Sequence, residues 1–264
     1  MKDQILTQIT TECPWRGTLY WYEQTDSTNT QAKALAKNGA PHGTVLIAGA
    51  QTGGRGRMGR SFASPNGGVY LSVLLRPNCP PEKLMHLTCA TAVAGCRAVE
   101  KACGFSPSIK WTNDLVVGKR KLGGILTELG LNGNGLVDYA IVGVGINCCQ
   151  KAEDFPPEIR DIATSIQVVS ENACSVAKLA ASLTEALWEM DKGLLSQKAE
   201  IMDAYRKKCI TLGNEISVVS GESVSHGTAL DLDEDGGLLV RFTDGSEKIV
   251  ASGEVSVRGM YGYL

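Results

Sequence analysis

Gln51-Thr-Gly-Gly-Arg-Gly-Arg-Met-Gly-Arg60 follows a β-prone run at Thr44 to Ile47 and leads into Ser64-Pro65-Asn66-Gly67-Gly68. Residues 53–68 hold six glycines. Glycine lets the backbone adopt positive φ and come close to a ligand, while the three arginines present fork-shaped, permanently charged donors suited to carboxylate and phosphate. The stretch therefore predicts a loop built for an anionic ligand. Gly54-x-Gly56-x-x-Gly59 also matches the dinucleotide fingerprint, which needs a helix opening at the glycines and an acid about 20 residues further on. Here Pro65 and Gly67-Gly68 break any helix, and the next acid is Glu82. No Gly-Lys-Ser/Thr follows, so a Walker A loop fails as well. Taken alone, the loop is also compatible with a merely solvated basic segment.

Around this loop, β-prone runs at Thr44 to Ile47, Val69 to Leu75, Lys110 to Trp111 continuing at Leu115 to Val117, Ile125 to Leu129 and Tyr139 to Ile146 read as strands of one sheet. A short helix is expected at Ser27 to Lys37 with Gly39 after it, and a longer one at 82–103, with Pro80-Pro81 at its start and Gly104 past its end. Leu179, Leu183, Leu187, Met190, Leu194 and Leu195 recur at three- to four-residue spacing, marking an amphipathic helix or helix pair over 175–209. Helices interspersed with hairpins predict an α+β core with a mixed central sheet. The last 50 or so residues change character, with β-prone runs at Glu215 to Ser220, Gly237 to Thr243, Lys248 to Ala251 and Val255 to Arg258 between turn signals such as Asp235-Gly236-Gly237 and Asp244-Gly245. They predict a small β-barrel.

Charge supports that division. From Ser27 to Pro81 no acid occurs, and Lys33, Lys37, Arg55, Arg57, Arg60 and Arg76 give +6; from Gly213 onward nine acids face Arg241, Lys248 and Arg258, giving −6. The expected units are 1–212 and 213–264. At 264 residues, one or two domains are expected from about 150 residues each, and 43% hydrophobic with 20% charged residues is ordinary globular composition. No apolar run approaches the roughly 18 residues of a membrane helix, and no secretory signal opens the chain, which predicts a cytoplasmic location. Nine cysteines in a long, unsignalled chain are expected to be reduced. Cys89, Cys96 and Cys103 repeat every seven residues as a core stripe, and neither Cys148-Cys149 nor the isolated His42, His86 and His226 give a zinc spacing.

Mid-chain, Lys110-Trp-Thr-Asn-Asp114 and Lys119-Arg-Lys-Leu-Gly-Gly-Ile125 form a strand, turn, strand pattern around Val117-Gly118. Lys121 abuts Gly123-Gly124, where backbone can approach a ligand. Val142-Gly-Val-Gly-Ile-Asn147 ends a buried strand in a polar amide.

Asp26-Ser-Thr-Asn29, Gln51 with its Gly-Arg-Gly-Arg-x-Gly-Arg, Lys110-Trp-x-Asn-Asp with Lys121-Leu-Gly-Gly-Ile, Gly-x-Gly-Ile-Asn147 and Ala163-Thr-Ser165 together resemble the biotin protein ligases, in order across about residues 18–260. Several co-linear motifs are far more specific than any one of them. The resemblance implies a catalytic domain of the class II aminoacyl-tRNA synthetase-like kind and an SH3-like C-terminal barrel. It also implies a two-step reaction with ATP and biotin as substrates and Mg2+ as companion. The biotin carboxylate attacks the α-phosphorus of ATP, then a lysine of a biotin carboxyl carrier domain attacks the biotinyl-adenylate. Joining two anions needs cations, and charge-assisted hydrogen bonds contribute about 1.5–3 kcal/mol each; Arg55, Arg57, Arg60 and Lys121 suit that task.

Carried over by motif, Ser27, Thr28, Asn29 and Gln51 resemble the neutral end of the biotin pocket, and Arg55, Gly56 and Arg57 the loop that closes over biotin and adenylate. Lys121 matches the lysine on the carboxylate and reacting phosphate, and Lys110 a second catalytic lysine. Arg60, Trp111, Asn113 and Asn147 fall where the family contacts ATP or magnesium. Thr112 stands where the family often has Pro, and Met58 where some members carry another Arg. Some members begin with a DNA-binding domain; the roughly 17 residues before the first expected strand and a pI near 6.0 predict an enzyme without DNA binding or membrane attachment, with a homodimer possible as in the family. The alternatives are a lipoate ligase of the same architecture and a non-enzymatic anion-binding module.

Overall fold

The computed structural model describes residues 1–170, 174–251 and, as backbone, 256–259. Seven strands form the central sheet: β1 (Leu19–Tyr22), β2 (Thr44–Ala48), β3 (Gly68–Leu75), β4 (Ser108–Lys110), β5 (Asp114–Val117), β6 (Arg120–Leu131) and β7 (Val137–Asn147). Their order is β1-β2-β3-β7-β6-β5-β4. Only β1 and β2 run parallel, so the sheet is mixed as the sequence suggests. Six α-helices accompany it among the described residues: α1 (Lys2–Leu6), α2 (Thr28–Lys37), α3 (Leu87–Cys103), α4 (Ile166–Val169), α5 (Val176–Gly193) and α6 (Lys198–Lys208).

Alternation along the strands separates two faces. Val45 and Ile47, Val69, Leu71, Val73 and Leu75, and Val142, Val144 and Ile146 join one large core with α3 and α5. The residues between them point the other way: Leu46, Leu74 and Ile141 form a small second core with Ala32 and Ala36 of α2. The helices thus cover most of one face and only one end of the other. The functional cavity described below opens on the uncovered remainder.

Cys89, Cys96 and Cys103 are buried, as their seven-residue spacing on α3 implies. The helix expected over 82–103 is interrupted: a 3-10 turn at Pro81–Leu84 precedes α3, and the break coincides with His86, whose buried Nε2 pairs with the Leu194 carbonyl at 2.8 Å. Gly104 ends α3 at φ +80°, the left-handed conformation that glycine adopts without strain. The 175–209 segment is a helix pair, α5 and α6.

Beyond Gly213 lie β8 (Glu215–Ser220), β9 (Ser223–Leu232), β10 (Leu238–Phe242), β11 (Glu247–Val250) and β12 (Ser256–Gly259), paired antiparallel in the order β11-β10-β9-β8-β12. Four of these match the expected runs, though Val255 of the last lies outside the described residues. β9 was not legible, because its first half, Ser223-Val-Ser-His226, is exposed and carries little apolar pattern. Trp111 joins the two sheets: its Nε1 donates to the Gly236 carbonyl at 2.9 Å. No helix among the described residues is long and apolar enough to cross a membrane.

Candidate active site

Three glycines make the floor of the cavity. Tyr70 pairs with Gly145, Gly145 with Gly124, Gly124 with Asp114, and Asp114 with Lys110, which gives one row across five strands. In the neighbouring row Ser72 and Leu126 flank Gly143. At Gly124, Gly143 and Gly145, on the face left bare by α2, the sheet presents no side chain, and a trough results. A Cβ on Gly143 would collide with the Asn29 side-chain carbonyl, and one on Gly145 would come within 2.6 Å of Phe62. The cavity measures about 390 Å³, within the usual range for small-molecule sites.

One end is neutral and tightly hydrogen-bonded. Ser27 is the N-cap of α2, yet its side chain does not cap the helix. Gln51 does that work instead: its Oε1 accepts from Thr28 N at 2.8 Å and from Thr28 Oγ1 at 3.1 Å, while its Nε2 donates to Ser64 Oγ at 2.9 Å. Ser72 Oγ, fully buried, reaches Thr28 Oγ1 and Asn29 Oδ1.

The other end is cationic. Lys121 Nζ lies 2.6 Å from Asp114 Oδ1, and Arg57 Nη1 donates to Asn113 Oδ1 at 3.1 Å. Burial pulls the Arg57 guanidinium below its ordinary pKa, with Asp114 opposing the shift and Arg60 adding to it. The glycine-arginine loop folds back on itself, Gly56 N donating to the Arg60 carbonyl at 2.7 Å and Phe62 N to Gly54. Arg55 spans to Glu128 at 3.4 Å, where Lys33 and Asn29 also converge at 2.8 and 3.0 Å. Burial alone would raise the Glu128 carboxyl, but these partners hold it below its ordinary pKa. Met58, at φ +55° and largely exposed, takes a left-handed turn at the tip.

A model of the biotin/lipoate A/B protein ligase family matches residues 21–147, and one of the biotin protein ligase C-terminal domain matches 211–258. The bifunctional ligase/repressor BirA of Bacillus subtilis is 33% identical over 89% of this chain and 72% of its own length. The chain belongs to the biotin protein ligase family. The biotin--[acetyl-CoA-carboxylase] ligase of Mycobacterium tuberculosis is 30% identical over 88% of this chain and 86% of its own. Among solved structures, the Aquifex aeolicus biotin protein ligase in complex with biotin and ATP superposes with a TM-score of 0.78 at 31% identity, covering 92% of this chain and 99% of that one.

Of the residues that the ligase motifs single out, Ser27, Thr28, Asn29, Gln51, Arg55, Gly56, Arg57, Arg60, Lys110, Trp111, Asn113 and Lys121 line the one cavity. Asn147 stands outside this lining. It is buried at the end of β7, with Nδ2 donating to the Thr164 carbonyl at 2.8 Å and Oδ1 unpartnered. Gly124, of the pair where the sequence predicts a close backbone approach, lies in the wall; Asp114, Gly143 and Gly145 belong to the quoted motifs without a role of their own, and Phe62 and Tyr70 were not singled out. The parity of β3 carries a signal for Tyr70 and Ser72, which alternate with core residues, whereas nothing in the sequence marks Phe62.

Proposed function

We propose that the chain is an ATP-dependent biotin protein ligase that forms biotinyl-5'-AMP and then transfers biotin to a lysine of a biotin carboxyl carrier domain. The observation that carries this reading is the polarity of a single cavity, neutral and hydrogen-bonded at Ser27, Thr28 and Gln51, cationic at Arg57 and Lys121. That is the distribution a ureido ring and a carboxylate require when the two lie at opposite ends of one ligand. Lipoate ends in a dithiolane ring with no N–H or carbonyl to pair with the Ser27 hydroxyl, which α2 leaves unused for capping.

In the first step a biotin carboxylate oxygen attacks the α-phosphorus and pyrophosphate leaves. Lys121 is assigned to the carboxylate and reacting phosphate, and exchanges its bond to Asp114 for them. Arg55, Gly56 and Arg57 close over the adenylate; a loop that excludes water protects a reactive anhydride. Lys110 offers a second, buried ammonium. Arg60, Trp111 and Asn113 border the side assigned to ATP, and Asn147, two residues beyond Gly145 on the same face of β7, is assigned to that side as well. In the second step the carrier lysine attacks the acyl carbon, an amide forms and AMP leaves.

Magnesium fits as the companion of ATP. Asp114 is the only carboxylate among the described lining residues, and no cluster of three or more potential ligands is found among the described residues. Mg2+ commonly binds through phosphates, water and one or two carboxylates, and so placed it would offset triphosphate charge. The same reading assigns residues 1–212 to the catalytic unit and 213–264 to an accessory barrel, with the reaction in the cytoplasm, where ATP and carboxylases meet.

Transfer is tested by incubating the protein with an apo carrier domain, biotin and MgATP. Biotin is expected on one carrier lysine, by mass, and on none when that lysine is replaced by Arg. A carrier that stays unmodified while its authentic ligase modifies it would overturn the proposal.

A further inference from the structure

Four of the nine cysteines converge behind the cavity, from three separate parts of the chain. Cys103 ends α3, Cys148 and Cys149 follow β7, and Cys174 precedes Ser175, the N-cap of α5. Cys103 Sγ donates to Cys174 Sγ at 2.7 Å, and Cys148 and Cys149 lie 3.6 Å apart, both directed at the Cys174 carbonyl. Nothing in the proposed ligase chemistry uses these sulfurs, and no group with metal-holding geometry is found among the described residues.

We propose that Cys103 and Cys174 are a redox pair that closes to a reversible disulfide when the protein meets a hydroperoxide. Bond formation requires only about 0.7 Å of further approach between the two sulfurs. Their roles are unequal. Cys174 is half-buried and therefore reachable. It accepts the Cys103 thiol, with Lys178 nearby and the N-terminus of the 18-residue α5 one residue on. Such surroundings favour a thiolate, and Cys174 is held well below the ordinary thiol pKa, first by Cys103 and then by Cys148. Cys103 is buried and kept protonated, chiefly by its bond to Cys174.

The Cys174 thiolate takes one oxygen from the peroxide, leaving a sulfenic acid and a hydroxide that is protonated to water. The Cys103 sulfur then displaces that oxygen as a second water, its thiol proton leaving with it. Two electrons pass from the sulfur pair to the peroxide, and a dithiol reverses the change. The bond would tie the end of α3 to the start of α5 and so enclose β4 to β7. It lies close to the site, because Gln150 beside the cluster donates to the Tyr70 hydroxyl of the cavity wall at 3.0 Å.

The test treats the whole protein with stoichiometric hydrogen peroxide, then alkylates, digests and maps it by mass spectrometry. A loss of two hydrogens and a Cys103–Cys174 linked peptide are expected, with both thiols recovered after dithiothreitol. Cys174→Ser is expected to abolish the link, and Cys149→Ser to preserve it. Full alkylation of Cys103 and Cys174 after peroxide, or a link of Cys174 to Cys148 or Cys149 instead, would overturn the proposal. The wild-type map needs no variant, so the outcome stands even if a substitution disturbs folding.

Discussion

Lys121 reaches the cavity from the start of β6, beside the Gly123-Gly124 pair, and its 2.6 Å contact with Asp114 fixes the ammonium above the glycine floor. Replacing it with Ala removes the cation assigned to the reacting phosphate and leaves Asp114 uncompensated. Biotin-dependent adenylation is expected to fall by about 10²- to 10³-fold, the usual loss for one electrostatic donor, while thermal unfolding shows the fold intact; undiminished adenylation would remove Lys121 from the mechanism. Glu128 makes a different kind of prediction. Its folded pKa lies below the ordinary value because Lys33, Asn29 and Arg55 outweigh burial. Its ionised form therefore stabilises the fold fully above the ordinary carboxylate value and loses that contribution as pH falls through the lowered folded value. The stability gap between wild type and Glu128→Gln is expected to shrink from about pH 6 to about pH 3 in urea titrations. A gap that stays constant would mean the carboxylate charge is not what holds α2 and the Arg55 loop together.

Elements set where these residues meet, and here the sequence is legible in part. The alternation of β3 and β7 and the Ser27 start of α2 can be read directly, because burial imposes a period of two on strands and a distinct first residue on helices. The motif residues could be assigned by resemblance, and twelve of the thirteen line one cavity. What could not be read is the register. That Gly145 lies between Tyr70 and Gly124 depends on pairings of strands far apart in sequence, and local pattern does not specify them. The glycines matter only through that register. Gly143→Ala would drive a methyl group into Asn29, and Asn29 also bonds Ser72, Glu128 and the Leu126 carbonyl. The substitution is expected to cost about 1–3 kcal/mol, as overpacking generally does, and to weaken biotin binding beyond the effect on stability. Chemical unfolding together with calorimetric titration checks both; an unchanged biotin affinity would mean that Asn29 and its neighbours do not shape the neutral end. Asn147 illustrates the limit in another way, since a motif match fixed its position at the end of β7 but not the Thr164 carbonyl that its amide donates to.

At the scale of the whole molecule, two units of opposite charge balance meet behind one residue of the cavity wall. The +6 stretch supplies the loop and α2, and Trp111, a cavity residue, is anchored by the Gly236 carbonyl in the acidic C-terminal segment. The composition shift near residue 213 was visible in the sequence, but this anchor was not, since Trp111 and Gly236 are 125 residues apart. The central claim is that this cavity activates biotin with ATP, and ATP–pyrophosphate exchange measures that directly. Purified protein is expected to exchange pyrophosphate with biotin present, and not with lipoate or without an acid. Exchange supported by lipoate alone, or by neither acid, would contradict it.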